Sequence, residues 1–383
     1  MRLERVRLKN FRNIEATDYQ CSTFLNGVWG RNGQGKTNFL ESIYMSIKGK
    51  SFRPYCDKKE ALQVESLNFG KKSFLPMNVS LELVDSKTFP ITVEMMSTSH
   101  GKFSFALNGK KTRSSIIQYR IPVVSFSPDD HALIRGGPEL RRDFINDVFT
   151  EIVPGYSEVL SRFETSLKNR NRCLKMLKEQ SHQNLQTELK TWTKVFATEA
   201  WELAKIRSEI WPDFCRVFLE VAGELLKANT QDSVEMSWKS FPREIQNVDE
   251  LEKYILEAYP QDQATGWTHR GPQRDDFLIT LGGREAKSSA SQAQARLLAL
   301  SLKWAHSDWI ESERQENAIF LVDDFSSELD PHSRSALNAR ISRDNAQVFF
   351  TGTDHSMVDS GAFSDYKYSC LLYTSPSPRD SCA

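Results

Sequence analysis

The sequence lacks the features that mark a membrane or secreted protein. No run of apolar residues approaches the ~20 that are needed to cross a bilayer. The N-terminal stretch MRLERVRLKNF alternates charged and apolar residues and contains no apolar block of a signal peptide. The 6 cysteines include no C-x-x-C pair, so their spacing indicates neither a zinc site nor a disulfide framework. We therefore expect a cytoplasmic protein that does not enter a membrane.

The chain also lacks net charge. Lys+Arg and Asp+Glu each number 50, which gives a formal net charge of +0 at pH 7. No global field draws such a chain to nucleic acid, so any contact with a polyanion has to be local. With 383 residues it is long enough for two domains, or for one domain with a large insertion.

The most informative stretch is VWGRNGQGKTNFLESIY, which fits the spacing G-x-x-x-x-G-K-T of a phosphate loop. In such a loop the backbone N–H groups surround a phosphate, the lysine neutralises the outer phosphates, and the hydroxyl binds Mg²⁺. The positions predicted to bind nucleotide are Gly30, Arg31, Asn32, Gly33, Gln34, Gly35, Lys36 and Thr37.

The flanking sequence decides against a mere glycine-rich turn with a surface lysine. STFLNGVWG, before the loop, is typical of a short strand. After the loop, Phe39, Leu40, Ile43 and Ile47 recur at the steps of one helical face. A helix that begins at the loop adds the positive end of its dipole to an anion site. We therefore predict a nucleotide phosphate site.

A second element of this site follows an apolar run near the C-terminal end. In AIFLVDDF, Asp323 and Asp324 come directly after four apolar residues that predict a buried strand. One carboxylate can hold Mg²⁺, directly or through water, and its neighbour can polarise an attacking water. An acidic turn after a core strand is the alternative. Upstream, Ser291 precedes a helical pattern and is suited to cap a phosphate, although a serine there is more often a plain N-cap.

The order of elements predicts one α/β core interrupted by helices. Strand-like runs dominate residues 1–125, including a hairpin at Asn108-Gly109, and an antiparallel sheet is expected there. Helical periodicity predicts an inserted helical lobe over 126–265, with two long helices side by side rather than a long coiled coil. Strand signals return over 266–365. Residues 366–383 are serine- and proline-rich, and we expect a disordered or non-native tail.

Taken together, these motifs resemble the ABC-type head ATPases and, among them, the RecF family. The resemblance is spread over about residues 1–355 and leaves out the tail. A generic ABC transporter subunit carries Asp-Glu where this chain carries Asp-Asp. The matching segments are RLKNFRNI, GRNGQGKTNFLESIY, SFRP, FSPDDHALIRGGPELRRDFIN, GPQRDDF and LVDDFSSELD.

The resemblance implies an α/β fold: a phosphate-loop ATPase head of mixed sheet with an antiparallel subdomain and an inserted helical lobe. It implies that Lys36 contacts the outer phosphates of ATP, while Thr37 binds Mg²⁺ and Asp323 holds the metal through its shell. Asp324 is then the catalytic carboxylate. Across a homodimer interface, Ser291 reaches the γ-phosphate of the partner's nucleotide, and Asp330 orders that interface.

The function implied by the resemblance is an ATP-dependent switch in DNA replication, recombinational repair and the SOS response. Such a protein dimerises on ATP at gapped DNA, hydrolyses ATP slowly with stimulation by DNA, and helps to load a recombinase through RecR- and RecO-type partners. One residue departs from the family pattern S-x-G-Q, because alanine stands at Ala293 where glycine is expected. Its methyl group is expected to loosen the closed dimer or to slow turnover.

Because the chain has no net charge, DNA binding requires a basic patch. SLKNRNRCLKMLK predicts one, since Lys168, Arg172 and Lys175 share a helical face. A solvated helix face is the alternative. Arg141, Arg142, Arg270 and Arg274 are further candidates. No base-reading motif is present, so the contacts are expected to be independent of sequence.

The other function considered is an SMC-like or transporter-coupled head whose main partner is a protein. An SMC head needs a far longer coiled coil than residues 155–210 supply. A transporter subunit is expected to bind a membrane partner and to ignore DNA. A head that binds ATP but scarcely hydrolyses it, with Ala293 as the cause, is a third alternative.

Overall fold

The computed structural model describes residues 1–53, 76–97, 103–179, 183–227, 232–242, 244–324, 346–353 and 368–372. The chain divides into two compact units. The first unit contains Met1–Arg135, Glu220–Gln231 and Ala290–Ala383, and the second contains Gly136–Leu219 and Asp232–Ser289. The second unit therefore begins and ends later than the bounds 126 and 265 expected for the inserted lobe.

An antiparallel sheet occupies the N-terminal part of the first unit, as predicted. Its strand order is β2-β1-β4-β5-β6-β7. Alternate residues of β4 (Val79, Leu81 and Leu83) are buried, because successive side chains of a strand point to opposite faces. The strands are β1 (Arg2–Phe11), β2 (Ile14–Gln20), β4 (Asn78–Val84), β5 (Pro90–Ser97), β6 (Phe103–Leu107) and β7 (Lys110–Thr112).

The predicted hairpin at Asn108-Gly109 joins β6 to β7. Leu107 pairs with Lys110 across the two-residue turn. Asn108 and Gly109 have φ values of 49° and 73°, which are the left-handed values that a type I′ turn requires. The hairpin prediction is confirmed.

A parallel sheet forms the second layer of the first unit, in the order β14-β3-β13-β12-β8. Every residue of β12 is buried, which is usual for a strand inside a parallel sheet. The strand β8 was not predicted, although its run VVSF is entirely buried. The strands are β3 (Leu25–Trp29), β8 (Val123–Phe126), β12 (Ile319–Val322), β13 (Val348–Gly352) and β14 (Tyr368–Leu372).

Strand β14 corrects the expectation of a disordered tail over part of its length. Its residues pair in parallel with β3, with Tyr368 opposite Leu25 and Leu372 opposite Trp29. An apolar run such as YSCLL supplies a strand for the open edge of β3, whereas composition alone emphasised the surrounding serines and prolines. The remainder of 366–383 lies outside the described residues.

Helices cover the sheets of the first unit. Helix α1 buries Phe39, Leu40, Ile43 and Ile47, the face predicted from their spacing, in a core shared with both sheets. The helices of this unit are α1 (Lys36–Lys48), α2 (Ser114–Arg120), α3 (Ala132–Arg135) and α10 (Gln292–Arg314).

The second unit is mainly helical, but it is not helical throughout. A three-stranded sheet of order β11-β10-β9 lies within it, so the expectation of a purely helical lobe is wrong for Val234–Lys239. Helix α6 ends in residues that are grouped with the first unit. The elements are α4 (Pro138–Ile152), α5 (Tyr156–Glu179), α6 (Gln183–Leu226), β9 (Val234–Lys239), α7 (Val248–Glu257), α8 (Tyr259–Thr265), β10 (Asp276–Leu281), β11 (Arg284–Glu285) and α9 (Ala286–Ser289).

The two long helices α5 and α6 pack together, as the heptad-like spacing predicted. Leu174 and Leu177 of α5 share an apolar cluster with Leu189 of α6. Further along, the rings of Phe163 and Phe196 lie 5.6 Å apart.

No helix within the described residues combines the length and apolar character that a bilayer crossing demands.

One buried side chain ties the start of the antiparallel sheet to the parallel sheet. Gln347, which is 3% exposed, accepts a hydrogen bond from the Leu3 N–H at 2.7 Å. Its amide nitrogen donates to the carbonyl oxygens of Leu3, at 2.8 Å, and Ser22, at 2.7 Å. A buried backbone group that loses its partner destabilises the fold by about 1–3 kcal/mol.

Replacing Gln347 with alanine is therefore expected to lower the free energy of unfolding by about 2 kcal/mol or more. Urea denaturation followed by circular dichroism measures this change. Gln263→Ala, at an exposed position of α8, is the matched control and should have little effect. Equal losses in the two variants would show that the Gln347 side chain does not hold the two sheets together.

Candidate functional site

The predicted phosphate loop connects β3 to α1, and its shape depends on glycine. Gly33 and Gly35 have φ values of 83° and 94°, which favour a residue without a side chain. A Cβ atom on Gly35 would also lie 2.6 Å from the Oδ1 of Asn13. Helix α1 begins at Lys36, so the unpaired N–H groups of its first turn adjoin the loop. This arrangement is suited to bind an anion.

Lys36 extends back over the loop. Its ammonium group donates to the carbonyl oxygens of Gly30, at 2.7 Å, and Arg31, at 3.0 Å. Burial lowers the pKa of Lys36, and the negative charges of Asp324 and Asp323 act in the opposite direction. A partly buried cation beside the helix start is suited to neutralise phosphate oxygens.

Thr37 and the predicted acids meet directly. The hydroxyl of Thr37 donates to Oδ1 of Asp323 at 2.9 Å. The hydroxyl of Thr351 donates to the same oxygen at 2.6 Å, and accepts a hydrogen bond from the N–H of Asp324 at 2.8 Å. The structure therefore joins the phosphate loop, both aspartates and the end of β13 in one hydrogen-bonded group.

The parallel sheet explains why residues so distant in sequence come together. Strand β13 pairs in parallel with both β3 and β12, so the carboxyl ends of the three strands lie at one edge. The loop follows Trp29, the acids follow Val322, and Thr351 is near the end of β13. Ligands of open α/β sheets bind at such an edge.

Asp323 is a partly buried acid whose charged form is disfavoured. Burial raises the pKa of its carboxyl group, while hydrogen bonds from Thr351 and Thr37 partly counter the shift. Its neighbour Asp324 is held in a left-handed conformation, with φ 49°. Strained backbone of this kind is frequent at functional sites. The two adjacent acids are therefore both partly buried at the end of β12, and Asp324 alone of the two has the left-handed backbone conformation.

The donor set at this position suits Mg²⁺. Because the Thr37 hydroxyl gives its proton to Asp323, the lone pairs of Oγ1 stay available for a cation. Hydroxyl and carboxylate oxygens are the ligands that Mg²⁺ prefers, and it usually takes its other ligands from water and phosphates. Thr37 would thus hold the ion directly, with Asp323 behind it.

Residues that the sequence analysis did not single out support the loop from the side. The amide of Asn13 donates to the carbonyl of Gly33 at 3.2 Å, and its oxygen accepts from Asn38 at 2.7 Å. Arg53 in turn donates to Oδ1 of Asn38 at 2.6 Å. These contacts connect the N-terminal segment NFRNI to the loop, which gives a physical reason for the presence of that segment in the family pattern.

A buried carboxylate anchors this supporting group. Glu41 is fully buried in α1 and accepts a hydrogen bond from Arg12 at 2.6 Å. Arg53 lies 3.3 Å from its other oxygen. A buried carboxylate requires such partners, so Glu41 fixes both arginines beside the nucleotide site. Helical periodicity gave no sign of it, because a glutamate in the first turns of a helix is usually exposed.

The remaining predicted nucleotide contacts lie at the start of α10 or outside the described residues. Ser291 is the exposed N-cap of α10, and its hydroxyl accepts a hydrogen bond from the N–H of Gln294 at 3.1 Å. Ala293 is also exposed in this first turn. The structure does not join this helix start to the phosphate loop by a hydrogen bond within the described part of the chain. Asp330 lies outside the described residues.

The predicted DNA-binding residues lie on the exposed face of α5. Lys168, Arg172 and Lys175 are all exposed, and Arg172 is 3.3 Å from Glu188 in a surface ion pair. Surface pairs of this kind contribute little energy, so Arg172 keeps its capacity to meet a phosphate. The three residues share one groove.

Arg141, one of the further DNA candidates, is a structural residue. It is 5% exposed and makes a two-point ion pair with Asp276, at 2.7 and 2.9 Å. The expectation that it binds DNA is therefore wrong, because its guanidinium group is occupied inside the second unit. Arg270 also has partners in that unit, with Glu257 at 2.6 Å.

Comparison with known proteins agrees with this geometry. The RecF/RecN/SMC N terminal domain profile matches residues 2–367. The DNA replication and repair protein RecF of Desulforudis audaxviator is 31% identical over 367 residues, covering 95% of this chain and 97% of the relative. The same protein of Acetivibrio thermocellus is 30% identical over 377 residues, covering 96% and 97%.

Solved structures show the same fold. A structure of the recombination mediator protein RecF with ATP, of the RecFOR pathway, has a TM-score of 0.82 at 24% identity and covers 97% of this chain and 95% of that chain. The Smc head of Pyrococcus furiosus, bound to a domain of ScpA, has a TM-score of 0.52 at 16% identity and covers 94% and 91%. The predicted fold, an ABC-type head with antiparallel and parallel sheets and an inserted lobe, is confirmed.

Asp323→Asn tests the electrostatic description of the site. In the nucleotide-free protein, the raised pKa means that ionised Asp323 is less favourable in the folded than in the unfolded chain. The amide keeps an oxygen for Thr37 and Thr351 and removes the charge. We expect a higher melting temperature at about pH 7.5, with a gain that shrinks as the pH is lowered and the native acid becomes protonated.

Calorimetry of the two proteins at several pH values measures this gain. Asp18→Asn is the control, because Asp18 is surface-exposed and pairs with Arg5. That pair lowers the pKa of Asp18, so Asp18→Asn is expected to lower the melting temperature or to leave it unchanged. A gain for Asp323→Asn that does not vary with pH would contradict the assignment.

Proposed function

The chain belongs to the RecF family, and from that membership we propose that it is an ATP-driven DNA-binding protein of replication and recombinational repair. The proposal includes ATP and Mg²⁺ as ligands, an ATP-dependent homodimer as the active form, and slow hydrolysis that resets it. It also places the protein in the cytoplasm.

One observation carries this proposal. The hydrogen bond from Thr37 to Asp323 joins the phosphate loop to the acid that follows β12, within a group that includes Asp324 and Thr351. A glycine loop alone is sufficient for phosphate binding. Its combination with two acids at the end of a parallel strand is the arrangement that hydrolysis of a nucleoside triphosphate requires.

Each side chain of the site has a separate proposed role. Lys36 and the N–H groups of the loop bind the outer phosphates, and Thr37 and Asp323 hold Mg²⁺. The ion supplies positive charge for the phosphates when it is bound. Asp324 orients the attacking water and accepts its proton, while Thr351 fixes the backbone of Asp324 through the 2.8 Å hydrogen bond.

Dimerisation supplies the part of the site that one chain lacks. Ser291 and Ala293 at the start of α10 are exposed, and an exposed helix N-terminus is suited to meet a phosphate of a second molecule. ATP would then join two heads, each of which offers Ser291 to the other. Because the nucleotide binds the closed form more tightly, it shifts the equilibrium between separate and paired heads. Asp330 is proposed to order this interface.

The closed dimer is proposed to hold DNA at a gap or junction, without preference for sequence. Lys168, Arg172 and Lys175 supply contacts to phosphates in each subunit. RecR- and RecO-type proteins are the proposed partners in the loading of a recombinase. The solved RecF structures belong to the RecFOR pathway, which supports this assignment.

Lys36→Ala is expected to abolish dimerisation by ATP, because the outer phosphates lose their cation. Ser291→Asp is expected to do the same for a different reason: aspartate still caps α10, but its charge repels the triphosphate of the partner. Sedimentation with and without ATP and Mg²⁺ measures both variants. Lys87→Ala, at an exposed turn, is the control and should dimerise normally.

A mixture of the two variants gives the sharper result. A mixed dimer has one site in which both residues are altered and one site with native Lys36 and native Ser291. Neither variant should dimerise alone, whereas the mixture should regain dimers. If the mixture stays monomeric while native protein dimerises, Ser291 does not act across the interface. ATP-independent dimers of Lys36→Ala would instead contradict the switch.

The DNA-binding face is tested by replacing Lys168, Arg172 and Lys175 together with alanine. Each phosphate contact contributes about −0.9 to the slope of log affinity against log salt for duplex DNA. The triple variant should bind more weakly at low salt and have a slope that is smaller in magnitude by about 2–3. Fluorescence anisotropy over a salt series measures both quantities.

The matched control removes the same charge from exposed positions on α6, by alanine at Lys190, Lys194 and Lys205. This control should leave the slope nearly unchanged. Equal effects in the two triple variants would show a general effect of charge and no binding face on α5. Native protein that ignores DNA but binds a protein partner would favour the SMC-like alternative.

A further inference from the structure

The groove on α5 contains an exposed aromatic residue in addition to the three cations proposed to contact phosphates. Trp267 follows the end of α8, and 51% of its surface is exposed. Exposed tryptophan is uncommon in a folded chain, because the indole ring gains energy from burial. The ring lies in the same groove as three positively charged side chains.

The residues on both sides of Trp267 lie against α5. Gly266 ends α8 with φ 78°, and a Cβ atom there would lie 3.1 Å from the side chain of Lys175 on α5. On the other side, both the N–H and the hydroxyl of Thr268 donate to Oδ1 of Asn171, at 2.9 and 2.7 Å. The exposed ring therefore belongs to a segment that packs closely on α5 at Gly266 and is hydrogen-bonded to α5 at Thr268.

A buried ion pair anchors this segment further. Arg170 and Asp262 are both fully buried and lie 2.8 Å apart, and Arg170 also donates to the hydroxyl of Thr268 at 2.6 Å. The backbone N–H of His269 donates to Asp262 at 2.9 Å. Buried charges need several such contacts, so these bonds favour one backbone conformation for the segment around Trp267.

The groove beside the ring carries positive charge. The ammonium group of Lys175 lies 3.7 Å from the centre of the indole ring, within the range of a cation–π contact. Lys168 and Arg172 line the same groove, which has a volume of about 740 Å³, and Glu164 is the one acid among its lining residues. Three cations against one acid favour an anionic ligand.

We infer that this groove is a binding site for unpaired nucleotides, with Trp267 as a stacking surface for a base and Lys168 and Arg172 as contacts for the adjoining phosphates. The inference rests on the proposed function and adds to it the feature of DNA that the lobe recognises. An exposed aromatic ring beside cations is the combination that binds single strands without reading their sequence.

The chemistry favours an unpaired strand over a duplex. In duplex DNA the faces of the bases are stacked on one another, so a ring such as that of Trp267 finds no free face to cover. Lysine and arginine alone would bind paired and unpaired DNA through phosphates. Trp267 therefore gives the groove a means to distinguish the single-stranded part of a gap from its flanks.

Trp267→Ala is expected to weaken binding of a single-stranded thymidine oligonucleotide by about 5- to 100-fold, the range for loss of one stacked base. Binding of a blunt duplex of the same length should change by less than about 2-fold. Trp267→Phe keeps an aromatic face and should retain most of the affinity. Fluorescence anisotropy on the full chain, with ATP and Mg²⁺ present, gives all of these affinities.

A second readout reports stacking directly. Single strands should quench part of the tryptophan fluorescence of native protein, and Trp267→Phe should lose that part of the quench. Phe89→Ala is the matched control, because Phe89 is 63% exposed and belongs to the first unit. A uridine oligonucleotide tests whether RNA binds as well. Equal affinity would show that the groove does not read the sugar, and weaker binding would assign the site to DNA. Either outcome supports stacking.

The inference is overturned if Trp267→Ala leaves single-strand affinity unchanged, or weakens single strand and duplex by the same factor. The first result would show that the exposed ring does not stack on a base. Neither result affects the proposed function, because ATP-dependent dimerisation and duplex binding do not require Trp267. Native protein that holds no nucleic acid at all would overturn both proposals. Normal dimerisation by Trp267→Ala shows that the variant is folded.

Discussion

The hydrogen bond between Thr37 and Asp323 is the contact on which the nucleotide site depends. It joins residues that are 286 positions apart in the chain, and it exists because β3, β13 and β12 run in parallel in adjoining positions. In a parallel sheet, the loops that follow the strands meet at one edge. The phosphate loop and the acids therefore come together whatever the length of the chain inserted between them, and a lobe of more than a hundred residues is tolerated there.

Partial burial disfavours charge at this site, and the hydrogen bond from Thr37 counters the effect only in part. Burial disfavours the charged forms of both Lys36 and Asp323. The charges of Asp324 and Asp323 offset part of this penalty for Lys36, and hydrogen bonds from Thr351 and Thr37 offset part of it for Asp323. A bound triphosphate and its cation would bring the opposite charges that each side chain lacks. A site with such charges is expected to gain stability when it binds a ligand of this kind.

Local patterns in the sequence were sufficient for the elements that depend on local chemistry. The phosphate loop, helix α1, the Asn108-Gly109 turn and the strand before Asp323 all follow from residue spacing or from glycine. Residues whose role depends on a distant partner were not predictable. The burial of Arg170 is one example, because its partner Asp262 lies elsewhere in the sequence. The roles of Glu41 and Asn13 were not predictable for the same reason. Strand β8 is as short as β12, but Ser125 interrupts its apolar run.

The side chain of Ser291, at the start of α10, can both cap its helix and donate a hydrogen bond. The hydroxyl oxygen of Ser291 accepts a hydrogen bond from the Gln294 N–H through a lone pair. The hydroxyl hydrogen is therefore not used in capping the start of the helix. A serine in this position can keep its own helix intact and still donate toward an acceptor on a neighbouring molecule. Threonine shares this property, whereas an aspartate cap has no hydrogen to give.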